Sequence, residues 1–186
     1  MSVTTDAIVL SLQPFSDKAH TLHAYTRANG RVNYKVFGLG RRHAIGIYTP
    51  LSVVQLTTSK GAVRTAQLSF VPQTIVTDPN KRAITLFISE VLFHTLHYPM
   101  QDERMFDFIV ESVRQLDETK EPQNFHLQFL SGFAALLGFA REESVPVPRS
   151  RAERQQLLQE WCAYFAEHVE TWQAPRSLDV LMEVFN

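Results

Sequence analysis

The chain changes its hydrophobic periodicity once, at Asp78-Pro79, and that change limits the folds open to it. Before it, apolar residues alternate with polar ones in short runs, as strands require. After it, they recur at three- and four-residue spacing, as amphipathic helices require. Asp78 is a good N-cap, and Pro79 suits the first helical position, where its missing N–H costs nothing. These signals predict an α+β chain with a β domain over residues 1–78 and an all-helical domain over residues 79–186.

In the β half, residues 5–12 (TDAIVLSL) read as a first strand and residues 13–18 (QPFSDK) as turn chemistry. A hairpin follows over residues 19–37, turning at Ala28-Asn29-Gly30, because Asn-Gly tolerates the positive φ of tight hairpins. Extended runs come next at 51–58 and 63–70, split by a turn at Ser59-Lys60-Gly61, with a further short run at 74–77. Short strands with turns at this spacing predict a five-stranded β-barrel of the oligonucleotide-binding (OB) type.

In the helical half, the first periodic run extends from Pro79 to a stop at Pro99, and a second starts near Glu103. A third follows Pro122 and closes at Gly138. A proline-containing connector (SVPVPR) leads to Ser150-x-x-Glu153, a capping-box pattern opening a fourth helix. Residues 177–185 form a short amphipathic close.

Composition narrows the class. With 45% hydrophobic and 20% charged residues the chain reads as an ordinary soluble protein. No apolar run approaches the roughly 20 residues of a membrane span. The first residues lack a charged stretch ahead of the apolar ones, which argues against a signal peptide. Cys162 is the single cysteine, so intramolecular disulfides and multi-cysteine zinc sites are excluded, in keeping with a cytoplasmic protein. The net charge of −1 hides an asymmetry. Residues 1–80 hold eight Lys/Arg against three Asp, and residues 81–186 hold ten against sixteen Asp/Glu. Opposite charge on the two halves points to separate surfaces for separate partners.

No catalytic constellation emerges. There is no Gly-x-Ser-x-Gly, and Gly38-x-Gly40 lacks a third glycine and a Walker lysine. Cys162 sits among Trp161, Ala163, Tyr164 and Phe165, where a cysteine serves as a small core residue. His94 and His97 are spaced i, i+3 on the expected first helix with Glu90 upstream, an incomplete ligand set. The reading is a non-enzyme without metal or cofactor.

The stretch 19–42 carries the functional signal. Val32, Tyr34 and Val36 share one face of the second hairpin strand, and Arg31, Asn33, Lys35 and Phe37 share the other. The strand runs into Gly40-Arg41-Arg42, and Lys18, Arg27 and Lys60 lie close by. Cations that track phosphates, with aromatic faces such as Phe37 or Tyr25 for bases to stack on, are what single-strand binding needs. The candidate DNA contacts are therefore Arg27, Arg31, Lys35, Phe37, Arg41, Arg42 and Lys60. Two alternatives stay open: the cations merely solubilise an outer face, and Phe37 packs at a domain interface instead of stacking on bases.

Taken in order, TDAIVL, a Ser-Asp turn, YTRANGRV and a glycine followed by basic residues resemble the N-terminal barrel of the bacterial RecO family. DPNKRAITLFISEVLFHTLHYPMQDERMFDFIVESV resembles the opening of that family's helical domain. PQNFHLQFLSGFAALLGF is similar to its next helix, and SRAERQQLLQEW and SLDVLMEVF are similar to the tail of its Bacteroides-like branch. The resemblance implies a recombination mediator in recombinational DNA repair, cytoplasmic and nucleoid-associated. It implies binding of single- and double-stranded DNA, strand annealing and contact with the acidic C-terminal tail of single-stranded-DNA-binding protein. With RecR, it implies loading of RecA. Two departures stand out: the four-cysteine zinc module of many members cannot form here, and residues 138–150 read as a bare linker where relatives have more. Tail binding needs an apolar groove with a cation, for which Arg114 is the candidate. The alternative function is a protein-interaction adaptor whose barrel has little DNA affinity; a third, an enzyme at His94/His97 and Glu90, would require bound metal.

Overall fold

The computed structural model describes residues 2–39, 46–141 and 147–184. Arg41 and Arg42, two of the expected DNA contacts, lie outside the described residues.

Five strands, β1 (Val3–Ser16), β2 (Ala19–Thr26), β3 (Gly30–Phe37), β4 (Val53–Ser59) and β5 (Ala62–Leu68), close a barrel in the order β1-β2-β3-β5-β4. This is the expected OB-type barrel. β1 serves two partners: residues 3–8 pair with β4 and residues 7–16 with β2. Irregularities between Val9 and Ser11 and between Pro14 and Ser16 bend it, as bulges bend a strand around a closing sheet. A parallel contact between Lys35 and Ala62 completes the ring. Ala7, Val9, Leu22, Ala24, Tyr34, Val36, Val54 and Leu56 fill the interior, with Leu39 and Tyr48 packed against them.

Two turns change places relative to expectation. The tight two-residue hairpin is Lys60-Gly61, where both residues have positive φ (51° and 72°) as a type I′ turn demands. The loop at Asn29-Gly30 is longer: Thr26 pairs with Gly30 across Arg27-Ala28-Asn29, and of Asn29 and Gly30 only the glycine has positive φ (63°). The Thr26 hydroxyl holds that loop, accepting from Asn29 N–H at 3.1 Å and donating to Gly30 C=O at 3.1 Å.

The helices are α1 (Pro79–Thr95), α2 (Glu103–Glu118), α3 (Phe125–Leu136), α4 (Arg151–His168) and α5 (Leu178–Val184). Their local signals behave as read. Asp78 Oδ1 accepts from Asn80 N–H at 2.8 Å, and the Ser150/Glu153 capping box is fully formed. Gly138 (φ 90°) ends α3 while Phe139 and Gly138 N–H reach back to Ala134 and Ala135 C=O, the paired bonds of a Schellman stop. α1 ends at Thr95, short of Pro99, so His97 lies beyond it and does not share its face with His94 as expected.

The chain packs into two compact units, Met1–Pro72 with Leu96–Val113, and Gln73–Thr95 with Arg114–Asn186. In the first unit the returning segment lies against the β2–β3 hairpin. A Cβ on Gly30 would stand 2.2 Å from Met100 C=O, so glycine is required there for space as well as for φ.

In the second unit, residues 74–77 form a turn and not the short strand expected. The Asp117 carboxylate accepts from the N–H groups of Gln73, Thr74 and Ile75 at 2.8–3.1 Å, which withdraws those donors from any ladder. Lys81, 3% exposed, donates to Asp117 C=O at 2.7 Å and to Thr74 Oγ1 at 2.6 Å. The rest of this unit's core joins aliphatic residues such as Ile84, Leu92, Leu130 and Leu158 to an aromatic group, with Phe133 stacked on Phe165 at 5.9 Å and Trp161 buried beside it.

Burial pushes the Asp117 carboxyl up, but the hydrogen bonds from Gln73, Ile75 and Thr74 outweigh it and the net shift is downward. Its stabilisation is therefore complete above the ordinary carboxylate range near about 4 and is lost as pH falls through the lowered folded value. Asp117→Ala should cost about 2–4 kcal/mol at neutral pH, by stranding buried N–H donors, and should abolish that acid-side loss. Urea unfolding at pH 7 and pH 3 checks both. Gly30→Ala should destabilise the first unit by more than about 2 kcal/mol, since it adds left-handed strain to a backbone collision; hydrogen exchange of the β2–β3 amides reads it.

Candidate nucleic-acid interface

The β1–β2–β3 register sorts the outer side chains into rows. Ile8, Tyr25 and Arg31 form one, Ser11, His23 and Asn33 the next, and Gln13, Thr21 and Lys35 a third. Ser16, Ala19 and Phe37 end the sheet. The alternation read from the sequence holds: Tyr34 and Val36 point into the barrel while Asn33, Lys35 and Phe37 are exposed.

The two ends of this face differ. At the first row, segment 96–107 covers the strands. Tyr25 is 3% exposed and stacks on Phe106 with centroids 6.4 Å apart at 21°. The Arg27 guanidinium sits 4.4 Å over the same ring and is 2.6 Å from Asp107 Oδ1. Arg31 reaches Leu96 C=O at 3.5 Å, and burial pulls its guanidinium down to about 10. Burial, with the nearby Asp102 carboxylate, pushes the Tyr25 phenol up to about 12. Tyr25 is thus no stacking platform, and Arg27 and Arg31 are engaged within the unit, because the returning segment uses the same face.

At the far end nothing described covers the sheet. Phe37 is 57% exposed and Phe15 64%, and Lys35 Nζ lies 5.3 Å from the Phe15 ring centroid. Lys35 N–H donates to Gly61 C=O at 2.9 Å, so barrel closure brings the exposed Lys60 turn beside Lys35. Phe37 is therefore a solvent-facing ring at the end of β3. Phe15 is a residue the sequence reading missed, having been assigned to turn chemistry. Phe15 falls in phase with the polar Ser11 and Gln13, so no alternation singles it out, and Pro14 is tolerated where the strand bulges.

His23, in the middle row, hydrogen-bonds Asn33 Oδ1 through Nδ1 at 2.7 Å. Burial lowers its pKa, Asn33 opposes that, and Arg31 lowers it further, so His23 adds no cation to the face at neutral pH. The open end thus combines two aromatic faces with Lys35 and Lys60, the parts that stacking and phosphate contact require.

The remaining candidates lie elsewhere. Arg114 is exposed on α2. In the second unit, Arg151, Arg154 and Gln155 line a small cavity with Leu158, Leu181 and Met182 over the buried His126. Burial, with Arg154, pulls His126 down to about 3. Burial pushes the Cys162 thiol up to about 11, away from nucleophilic use. Among the described residues no group of three or more His, Cys, Asp or Glu could hold a metal ion, and no helix is long and apolar enough to cross a membrane.

Residues 76–145 match the family described as Recombination protein O C terminal. The chain is 29% identical to a DNA repair protein RecO of Porphyromonas gingivalis, over 74% of its own length and 61% of that protein. A DNA repair protein RecO of Flavobacterium johnsoniae is 26% identical, aligned along the whole of both chains. One of Phocaeicola vulgatus is 29% identical over 72% of this chain and 60% of its own. The matched part thus spans about three fifths of the Porphyromonas and Phocaeicola proteins. The RecO resemblance read from the residues agrees with these similarities, one of which runs along the whole chain.

Proposed function

We propose that this chain is a DNA-binding recombination mediator that holds single strands on the open end of its barrel face. The observation that carries the reading is the cluster of Phe15, Lys35, Phe37 and Lys60: exposed rings and cations on the outer face of an OB-type barrel. Arg41 and Arg42, which follow β3 in sequence, extend the cationic surface in this proposal. Annealing follows from the same chemistry, since cations offset the repulsion between two phosphate backbones and raise their local concentration. Cooperation with RecR in loading RecA belongs to the same proposal.

Recognition of the acidic tail of single-stranded-DNA-binding protein needs a cation beside an apolar wall. The cavity with Arg151 and Arg154 against Leu158 and Leu181 offers both, and it stands in this proposal beside Arg114, exposed on α2. The adaptor alternative draws on one observation: Arg27 and Arg31, two of the expected cations, are engaged internally.

Fluorescence anisotropy of a labelled single strand across salt concentrations separates these readings. Phe15→Ala and Phe37→Ala should each weaken binding by about 1–3 kcal/mol, the loss of one stacked base. Lys35→Glu should lower the salt slope by about 0.7 for the lost phosphate contact, and charge reversal at Arg41 and Arg42 should lower it further. Affinity unchanged in every variant would discard this site; binding of an acidic tail peptide without any oligonucleotide binding would favour the adaptor.

A further inference from the structure

We infer that the covered end of the barrel face is a nucleotide-sized position filled from within, Phe106 standing where a base would stack and Asp107 where a phosphate would sit. The inference rests on the DNA-binding reading above and assigns that site its boundary.

The parts are those an open single-strand subsite would offer. Tyr25 presents a ring on the outer face, and Arg27 presents a guanidinium at the hairpin loop. Phe106 lies nearly parallel to Tyr25 (21°, 6.4 Å) with Arg27 over it at 4.4 Å, the sandwich a base would enter. Asp107 Oδ1 meets Arg27 Nη2 at 2.6 Å, a charge-assisted contact such as a phosphate oxygen would make. A strand of DNA reaching this end would compete for the same atoms.

The two halves of the internal ligand are held unequally. Phe106 is 1% exposed and Tyr25 3%, so the ring pair is closed off. The side chains of Arg27 and Asp107 are 38% and 63% exposed, so their contact is at the surface and open to exchange. The segment leading into it is pinned where Met100 C=O meets Gly30 and where Leu96 C=O accepts from Arg31. Single-stranded DNA is thereby confined to the Asn33–Phe37 end of β3, five residues spanning about 14 Å of strand. Arg27 contributes no phosphate contact while Asp107 holds it.

The test uses the full chain and a fluorescein-labelled oligothymidylate, with binding measured across salt for the unsubstituted protein, D107N, R27Q and the R27Q/D107N double variant. D107N keeps the side-chain shape at an exposed position, so it should unfold at the temperature of the parent. The expected result is equal slopes for the parent and R27Q, and a slope steeper by about 0.7 in D107N, for one added phosphate contact. The double variant should return to the parent slope, which ties the gain to Arg27. A shallower slope in R27Q alone would show Arg27 already on a phosphate and overturn the inference, as would D107N behaving like the parent. In either case, sensitivity to F37A and K35E would leave the DNA-binding reading standing. Absence of oligonucleotide binding in all four proteins would overturn both.

Discussion

The first unit depends on the bond that closes its barrel, Lys35 N–H to Gly61 C=O at 2.9 Å. Without it β3 and β5 would be open sheet edges, each with unpaired backbone groups. With it the ring is complete, and because strand side chains alternate, the register that sends Tyr34 and Val36 inward must send Lys35 and Phe37 outward. A slip of one residue would exchange the two sets. The same bond draws the Lys60-Gly61 turn against β3, so core formation and assembly of the open cationic end are one event. Lys60 itself accepts a left-handed backbone (φ 51°) to make that turn.

The outer face serves two masters. One end packs against the returning segment, and the relative size of the contacts says what holds it there. Burying a ring such as Phe106 contributes about 1.5–3 kcal/mol, whereas an exposed ion pair such as Arg27–Asp107 contributes about 0–1 kcal/mol. Apolar burial therefore fixes the segment, and the ion pair orients side chains at its rim. The other end keeps two large rings in water, which no packing argument within the unit rewards. In the DNA-binding proposal these rings are where bases stack.

The second unit has its own anchor in Asp117. A carboxylate 6% exposed is tolerable only when its oxygens are satisfied, and three successive N–H groups plus the Thr74 hydroxyl do this. Lys81, equally buried, donates to the Asp117 carbonyl and to Thr74. Removing one partner would leave the other group stranded, which is why this knot makes the turn at 74–77 obligatory although TIVT has strong β propensity.

Much of this was legible in the residues. The period change at Asp78-Pro79, the caps at Ser150/Glu153 and Gly138, and the outward set Asn33-Lys35-Phe37 depend only on neighbours within about four positions, and each took the expected form. Three of the misread features involve a partner brought in by the fold. Residues 74–77 turn because of Asp117, more than forty positions away. Tyr25 and Arg31 turn away from solvent, and Arg27 is engaged by Asp107 at the surface, because residues 96–107 come back across the hairpin. Phe15 becomes a site residue only because β1 bulges past Pro14 to follow β2. Backbone geometry and side-chain alternation are local, so the sequence by itself determined the barrel, the helices and which side of β3 faces out. Which part of that side stays open was decided by long-range burial, because only the folded chain determines which apolar surface covers which strand.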